Sequence, residues 1–266
     1  MTSQPQPQNA PATGAAPSAD PQQWLAAAAV DAAVYDLRPD YRVMLMTADG
    51  LRGGPSDAVS EQMLAEAEQA ARQLIAGCSL EELPHLAAWR EAYRAFGAKP
   101  QRTRPSVEAL LRRLDTAELP RVDRITDVYN AISISHLIPM GGENRAAYLG
   151  APRLVRADGR EPFDTTAHGE LAVEQPSPGE VIWCDDAGVT CRRWNWRQCT
   201  RTRITPEVSS VVFILDVLDP VTDEGLQSAA NALEAALFRL SPHASVQRRL
   251  LSSCSRSSSP RSQTSG

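Results

Sequence analysis

The stretch RVDRITDVYNAISISHLIPMGG, running from Arg121 to Gly142, decides how the rest of the chain is read. Ile125, Val128, Tyr129, Ile132 and His136 recur at three- and four-residue spacing, which puts them on one face of a helix spanning Arg121 to Leu137. Pro139 ends that helix, because it has no N–H to donate and its ring clashes with the preceding turn. Just upstream, RTRPSVEALLRRL (Arg102–Leu114) starts a second helix at Pro105, with Val107, Leu110, Leu111 and Leu114 as its buried side.

Working outward toward the N-terminus, Ser79 followed by Glu82 is the pattern of a capping box. It would open a helix with Leu86, Trp89, Tyr93 and Phe96 in line, closed by Gly97. Asp57 to Ala76 is another helix, stopped by Gly77. RVMLMT (Arg42–Thr47) reads as a strand closed by the turn Asp49-Gly50, and the Ala-rich stretch Trp24–Val34 as a short docking helix. Toward the C-terminus the pattern changes. Arg153–Arg156 meets the turn Asp158-Gly159, and Gly179–Cys184 and Val189–Trp194 flank the hairpin signature Asp185-Asp186-Ala187-Gly188. SSVVFILDV (Ser209–Val217) is the most apolar strand, and Asp223–Leu240 is a closing amphipathic helix. Helices followed by an antiparallel strand meander make an α+β fold.

Composition bounds the function. The 266 residues carry a net charge of −5, and the Ser/Arg-rich end 241–266 holds four arginines and no acid, so the rest of the chain stands at −9. An acidic body argues against broad nucleic-acid binding, DNA included, though not against a local basic groove. Residues 1–22 and 241–266 lack a periodic apolar signal and are expected to be disordered, leaving residues 23–240 as one domain. The five cysteines are widely spaced, without a CxxC pair or a histidine at ligand spacing, so no metal site is expected. No apolar run approaches the ~20 residues of a membrane span, and the N-terminus lacks the basic start and apolar core of a signal peptide. The expectation is a cytoplasmic protein with reduced thiols.

The order of motifs carries a resemblance. Thr126-Asp127-Val128-Tyr129-Asn130 is followed, nine residues after Asn130, by Pro139-Met140-Gly141. Further on come Pro178-Gly179-Glu180-Val181-Ile182, Asp185-Asp186 and Arg192-Arg193-Trp194. Over about Arg90 to Val217 this resembles free-standing members of the B-three/four tRNA-binding family, the editing domain of the bacterial phenylalanyl-tRNA synthetase beta subunit. That domain carries Val-Asp-x-x-Asn and, at the same spacing, Pro-Met-His. The resemblance implies a cofactor-free site for the aminoacylated 3′ end of a tRNA, with Asn130 and Gly141 as catalytic candidates and Arg104, Ser106, Arg124, Pro139 and Gly142 as substrate-binding candidates. Gly141 stands where the family has histidine, and Gly141-Gly142 would offer backbone N–H groups instead. The family's acidic discriminator has no evident counterpart; Arg197–Arg203 occupies that region.

Each candidate has a plainer reading. Asn130 could be an exposed polar residue in a helix, where its propensity is poor. Arg124 could form an i,i+3 ion pair with Asp127. Ser106 starts a helix, and Arg104 could be solvated. His136 follows the helix's apolar spacing and reads as partly buried, which leaves His168, in a loop, as the catalytic candidate of the two. Asp185 and Asp186 are explained by their turn. Arg192, Arg193 and Arg197, interleaved with Trp194 and Trp196, suit single-stranded RNA through phosphate pairing and base stacking, or else guard a solvated hairpin edge. Three functions follow: a deacylase acting on mischarged tRNA, a non-catalytic module binding tRNA or an amino acid, and a hydrolase of a small ester or amide. A serine hydrolase has no support, since GxSxG is absent.

Overall fold

The computed structural model describes residues 20–253. Eleven strands and seven α-helices form an α+β fold, as expected: α1 Pro21–Ala27, β1 Ala29–Val30, α2 Ala32–Leu37, β2 Arg42–Asp49, α3 Ala58–Ile75, α4 Pro84–Ala95, α5 Ser106–Leu114, α6 Arg124–His136, β3 Met140–Asn144, β4 Arg153–Arg156, β5 Phe163–Ala167, β6 Glu170–Glu174, β7 Val181–Cys184, β8 Val189–Arg192, β9 Arg197–Gln198, β10 Ser210–Val217, α7 Asp223–Leu240 and β11 Ser245–Ser252.

Two sheets stack. One is antiparallel with order β11-β2-β10-β3, and the other runs β1-β4-β7-β8-β9; β5 and β6 form a separate hairpin. The first sheet is covered on both faces. Met44, Met46, Val211, Phe213 and Leu215 pack under α6 and α7 with Ile125, Val128 and Leu233. Val43, Leu45, Val212 and Ile214 face the second sheet, against Leu154, Val181, Trp183 and Trp194. Double coverage is why β10 reads as an apolar run broken only by Asp216 after Ser210, and buries seven of its eight residues. A further cluster joins the outer sides of α3, α5 and α6 with Leu86 of α4.

The local chemistry explains most element ends. Asp123 caps α6, accepting from the N–H groups of Ile125 (3.0 Å) and Thr126 (2.7 Å), so this helix begins three residues later than its periodicity suggests. Leu137 closes it in the left-handed region (φ 56), just before Pro139. The expected capping box at Ser79 is absent: Ser79 makes no side-chain cap, Leu80–Glu82 is a 3-10 turn, and α4 starts with Pro84 in its first turn. The capping box lies instead at Asp57 and Ser60, opening α3.

Two expectations about the ends are corrected. Pro21 and Gln22 already belong to α1, and Ser245–Ser252 is not a disordered tail but a strand paired along its whole length with β2, from Ser245↔Asp49 to Ser252↔Arg42. As an edge strand, β11 needs no continuous apolar face, and its arginines dock it. Arg248 binds Glu234 and the carbonyl of Ala230, while Arg249 binds the carbonyls of Leu25 and Ala28. Residues 1–19 and 254–266 lie outside the described residues. The Trp24–Val34 stretch is two short helices split by β1, which pairs in parallel with β4. Among the described residues, no helix is long and apolar enough to cross a membrane.

Candidate functional site

A cavity of about 270 Å³ opens between the two sheets where β3 ends against α5 and α6. The register of β3 on β10 (Gly141↔Ile214, Leu215↔Met140) turns Gly141, Glu143, Ile214 and Asp216 toward the second sheet. Ser106 and Leu110 of α5 and Tyr129 and Asn130 of α6 supply another wall. The segment Trp194–Gln198 closes the far side. Arg193 and Trp194 both adopt positive φ (50 and 68), rare for bulky residues and found where a fold holds its backbone against local preference. This turn buries the Trp194 ring among Tyr41, Trp89 and Phe96 and leaves Trp196 half-buried at the cavity.

The cavity floor holds two carboxyls that the sequence did not bring forward. Asp216 accepts from Tyr41 Oη (2.6 Å) and Asn195 Nδ2 (3.2 Å), and Asn195 in turn accepts from Tyr93 Oη (2.9 Å). Glu143 Oε2 accepts from Tyr148 Oη (2.8 Å) and Thr202 Oγ1 (2.6 Å), while its Oε1 is buried with no partner. Burial pushes both carboxyls up to about 7, against the hydrogen bonds that favour their charged forms. Ser106 Oγ and the indole N–H groups of Trp183 and Trp194 are likewise buried without partners. Buried polar groups are normally paired, and four of the unpaired ones belong to residues around this one cavity. A lone Asp in the apolar run SSVVFILDV was the available signal for Asp216; Glu143 carried none.

The predicted residues divide. Asn130, Ser106 and Gly141 line the cavity, and the described structure assigns no hydrogen bond to the Asn130 carboxamide. Pro139 and Gly142 are buried beside it: the carbonyl of Pro139 accepts from Asp216 N (3.1 Å), and a Cβ on Gly142 would lie 3.0 Å from the Tyr129 ring. Arg104 stands one turn from Glu108 (3.7 Å), a fully buried carboxylate shared with Arg90 and Arg112. Arg124 pairs with Asp57 (2.7 Å) rather than with Asp127, which instead accepts from Val122 N (2.9 Å). Neither Arg124 nor His168 lines the cavity. His168 is exposed in the His168-Gly169 turn of the β5–β6 hairpin, where both residues have positive φ. His136 is half-buried in the last turn of α6, outside the cavity.

The run of arginines is not an open basic patch. Arg192 is buried against Glu180 (2.9 and 3.1 Å) and Glu174 (2.7 Å), and Arg201 pairs with Asp185 (2.8 Å). Asp185 also accepts from the N–H groups of Leu149, Ala187 and Gly188, which confirms its structural place in the turn. Trp194 is fully buried and offers no face for stacking. Arg193 and Arg197 are partly exposed but also paired, with Glu180 (3.5 Å) and Glu174 (3.9 Å), and their guanidinium carbons stand 4.6 Å and 6.0 Å from the ring centroid of Trp196.

Residues 88–239 match the family model described as B3/4 domain. Among solved structures, an N-terminal fragment of the phenylalanyl-tRNA synthetase beta subunit from Pyrococcus horikoshii is similar at 13% sequence identity and a TM-score of 0.43, covering 82% of this chain and 49% of that one. The chain therefore spans about half the length of that fragment. The search of curated proteins gave no match.

Proposed function

Because the chain belongs to the B3/4 domain family, we propose that its cavity receives the aminoacylated 3′ end of a tRNA and promotes hydrolysis of the ester. The observation that carries this reading is the set of unpaired polar groups on residues lining one cavity: the Asn130 carboxamide, Ser106 Oγ and Glu143 Oε1. Asn130 and Ser106 can donate to the ester carbonyl, whose oxygen gains charge as water adds. The walls of Leu110, Tyr129, Met140 and Ile214 would take the amino-acid side chain. At the rim, Arg193 and Arg197 flank Trp196, a pairing that suits a terminal phosphate and an unstacked base.

One observation favours a second reading, a module that binds charged tRNA or an amino acid without turning it over. Gly141 brings no imidazole, and the residue beside it, Gln198, carries an amide that does not take up a proton at neutral pH. Single-turnover deacylation of a panel of tRNAs, each charged with one amino acid, separates the two. At least one ester is expected to be cleaved above the uncatalysed rate, and Asn130→Ala to slow that cleavage by about 100-fold, the scale of losing one oxyanion donor. Salt-dependent tRNA binding without cleavage would establish the binding module instead. If tRNA neither binds nor is cleaved at low salt, both readings fail.

A further inference from the structure

Gln198 sits on β9, whose only partner among the described residues is β8 (Cys191↔Gln198), and reaches across to the edge of the other sheet. Its Nε2 donates to the carbonyl of Gly142 (3.0 Å), which holds the carboxamide over Gly141. That position depends on glycine: a Cβ on Gly141 would lie 2.9 Å from Gln198 Nε2, closer than real Cβ contacts allow. The backbone of Gly141 imposes no such need, since its φ is not in the left-handed region. The single hydrogen bond also leaves half of the carboxamide unused. Its second N–H and its Oε1 have no partner among the described residues, and the side chain, half-buried, lines the same cavity as Asn130. Fixing a glutamine side chain costs rotamer freedom that one part-buried hydrogen bond offsets only in part.

We infer that Gln198 is a second ligand-holding residue, whose carboxamide acts with that of Asn130 from a different wall to grip the neutral polar part of the ligand, the ester carbonyl and the hydroxyls of the terminal ribose. This rests on the reading of the cavity as an aminoacyl-tRNA site. Two carboxamides offer both donors and acceptors and carry no charge, which matches groups that themselves donate and accept without charge. Neither amide titrates, so their share of binding is constant with pH. Gly141 then acts as the spacer that lets Gln198 reach the ligand.

The test compares Gln198→Ala, Gly141→Ala and the double variant, each melted to confirm folding, using the same panel of charged tRNAs. The clash at Gly141 is with the far end of a flexible side chain, so Gly141→Ala is expected to fold and to displace the Gln198 amide. Each single variant should slow hydrolysis by about 10- to 100-fold, and the double variant should match Gln198→Ala rather than multiply the two losses. Should wild type bind charged tRNA without cleaving it, the same comparison is read on Kd. Wild-type rates and affinities in Gln198→Ala, or losses that multiply, overturn the inference while the tRNA reading stands. A wild type that neither binds nor cleaves overturns both. If Gly141→Ala does not fold, Gln198→Glu replaces it: it matches glutamine in size but its carboxylate cannot donate to Gly142, and undiminished activity there would overturn the inference.

Discussion

The two carboxyls on the cavity floor make the stability of this protein depend on pH in an unusual direction. Burial holds both Asp216 and Glu143 up to about 7, whereas their ordinary values are 3.8 and 4.5. Between those limits the folded chain binds more protons than the unfolded one, so stability falls as pH rises through the window and levels off above it. At 1.36 kcal/mol for each pH unit separating the two states' pKa values, each carboxyl withdraws on the order of 2 to 3 kcal/mol between pH 5 and pH 8. His85 works in the opposite sense. Its imidazole is buried between Leu137 O, Trp89 Nε1 and Leu218 N, and burial lowers it from 6.5 to about 4, so it adds back roughly 2 kcal/mol over the same interval. The contribution of one carboxyl is isolated by comparing variant with wild type. Asp216→Asn keeps an acceptor for Asn195 Nδ2 and a polar group against Tyr41 Oη but does not titrate. Relative to wild type, it should gain on the order of 2 to 3 kcal/mol more stability at pH 8 than at pH 5, measured by urea unfolding followed through tryptophan fluorescence. Glu143→Gln should behave alike. A difference between Asp216→Asn and wild type that is the same at both pH values, or larger at pH 5, would refute the account of the floor as two carboxyls destabilised by burial.

Three further outcomes are expected. Arg192→Ala leaves Glu180 buried beside a lost partner, so it should cost about 3 kcal/mol in urea unfolding while leaving tRNA affinity unchanged. Arg193→Ala/Arg197→Ala should weaken tRNA binding and reduce the slope of log K against log salt by about 1.4, at 0.7 for each single-stranded phosphate contact, read by filter binding across a salt series. Ending the chain at Ser241 removes β11 and bares the paired edge of β2. The truncated chain should aggregate on refolding where the full chain stays monodisperse by light scattering.

What the sequence made legible follows from how each element meets its surroundings. α5, α6 and α7 announce themselves because each has a buried and a solvated side, and the bounds of α7 agree with its periodicity at both ends. β10 is visible for the opposite reason, since coverage on both faces leaves almost no polar residue in it. β3 was missed because Met140–Asn144 spells MGGEN, whose glycines are there for close approach rather than for strand propensity. β11 was missed because an edge strand docked by arginines shows neither alternation nor an apolar run.

The site was legible only where its residues are close in the chain. Asn130, Pro139 and Gly141 stand within twelve positions of one another, so their spacing survives as a pattern. The arginines from Arg192 to Arg203 looked like a free basic stretch because most of the carboxylates that neutralise them lie on other segments: Glu174 at the end of β6, Glu180 before β7, and Asp164 on β5. A charge run in the sequence gives the sign of a segment, and the fold decides whether that sign faces a ligand. The same reasoning bears on Gly141. Taken along the chain, glycine in place of histidine is the loss of a group; across the sheets, it is the space into which Gln198 extends. A substitution at one position can therefore be judged only with the residue that occupies the volume it vacates, and here that residue is 57 positions away.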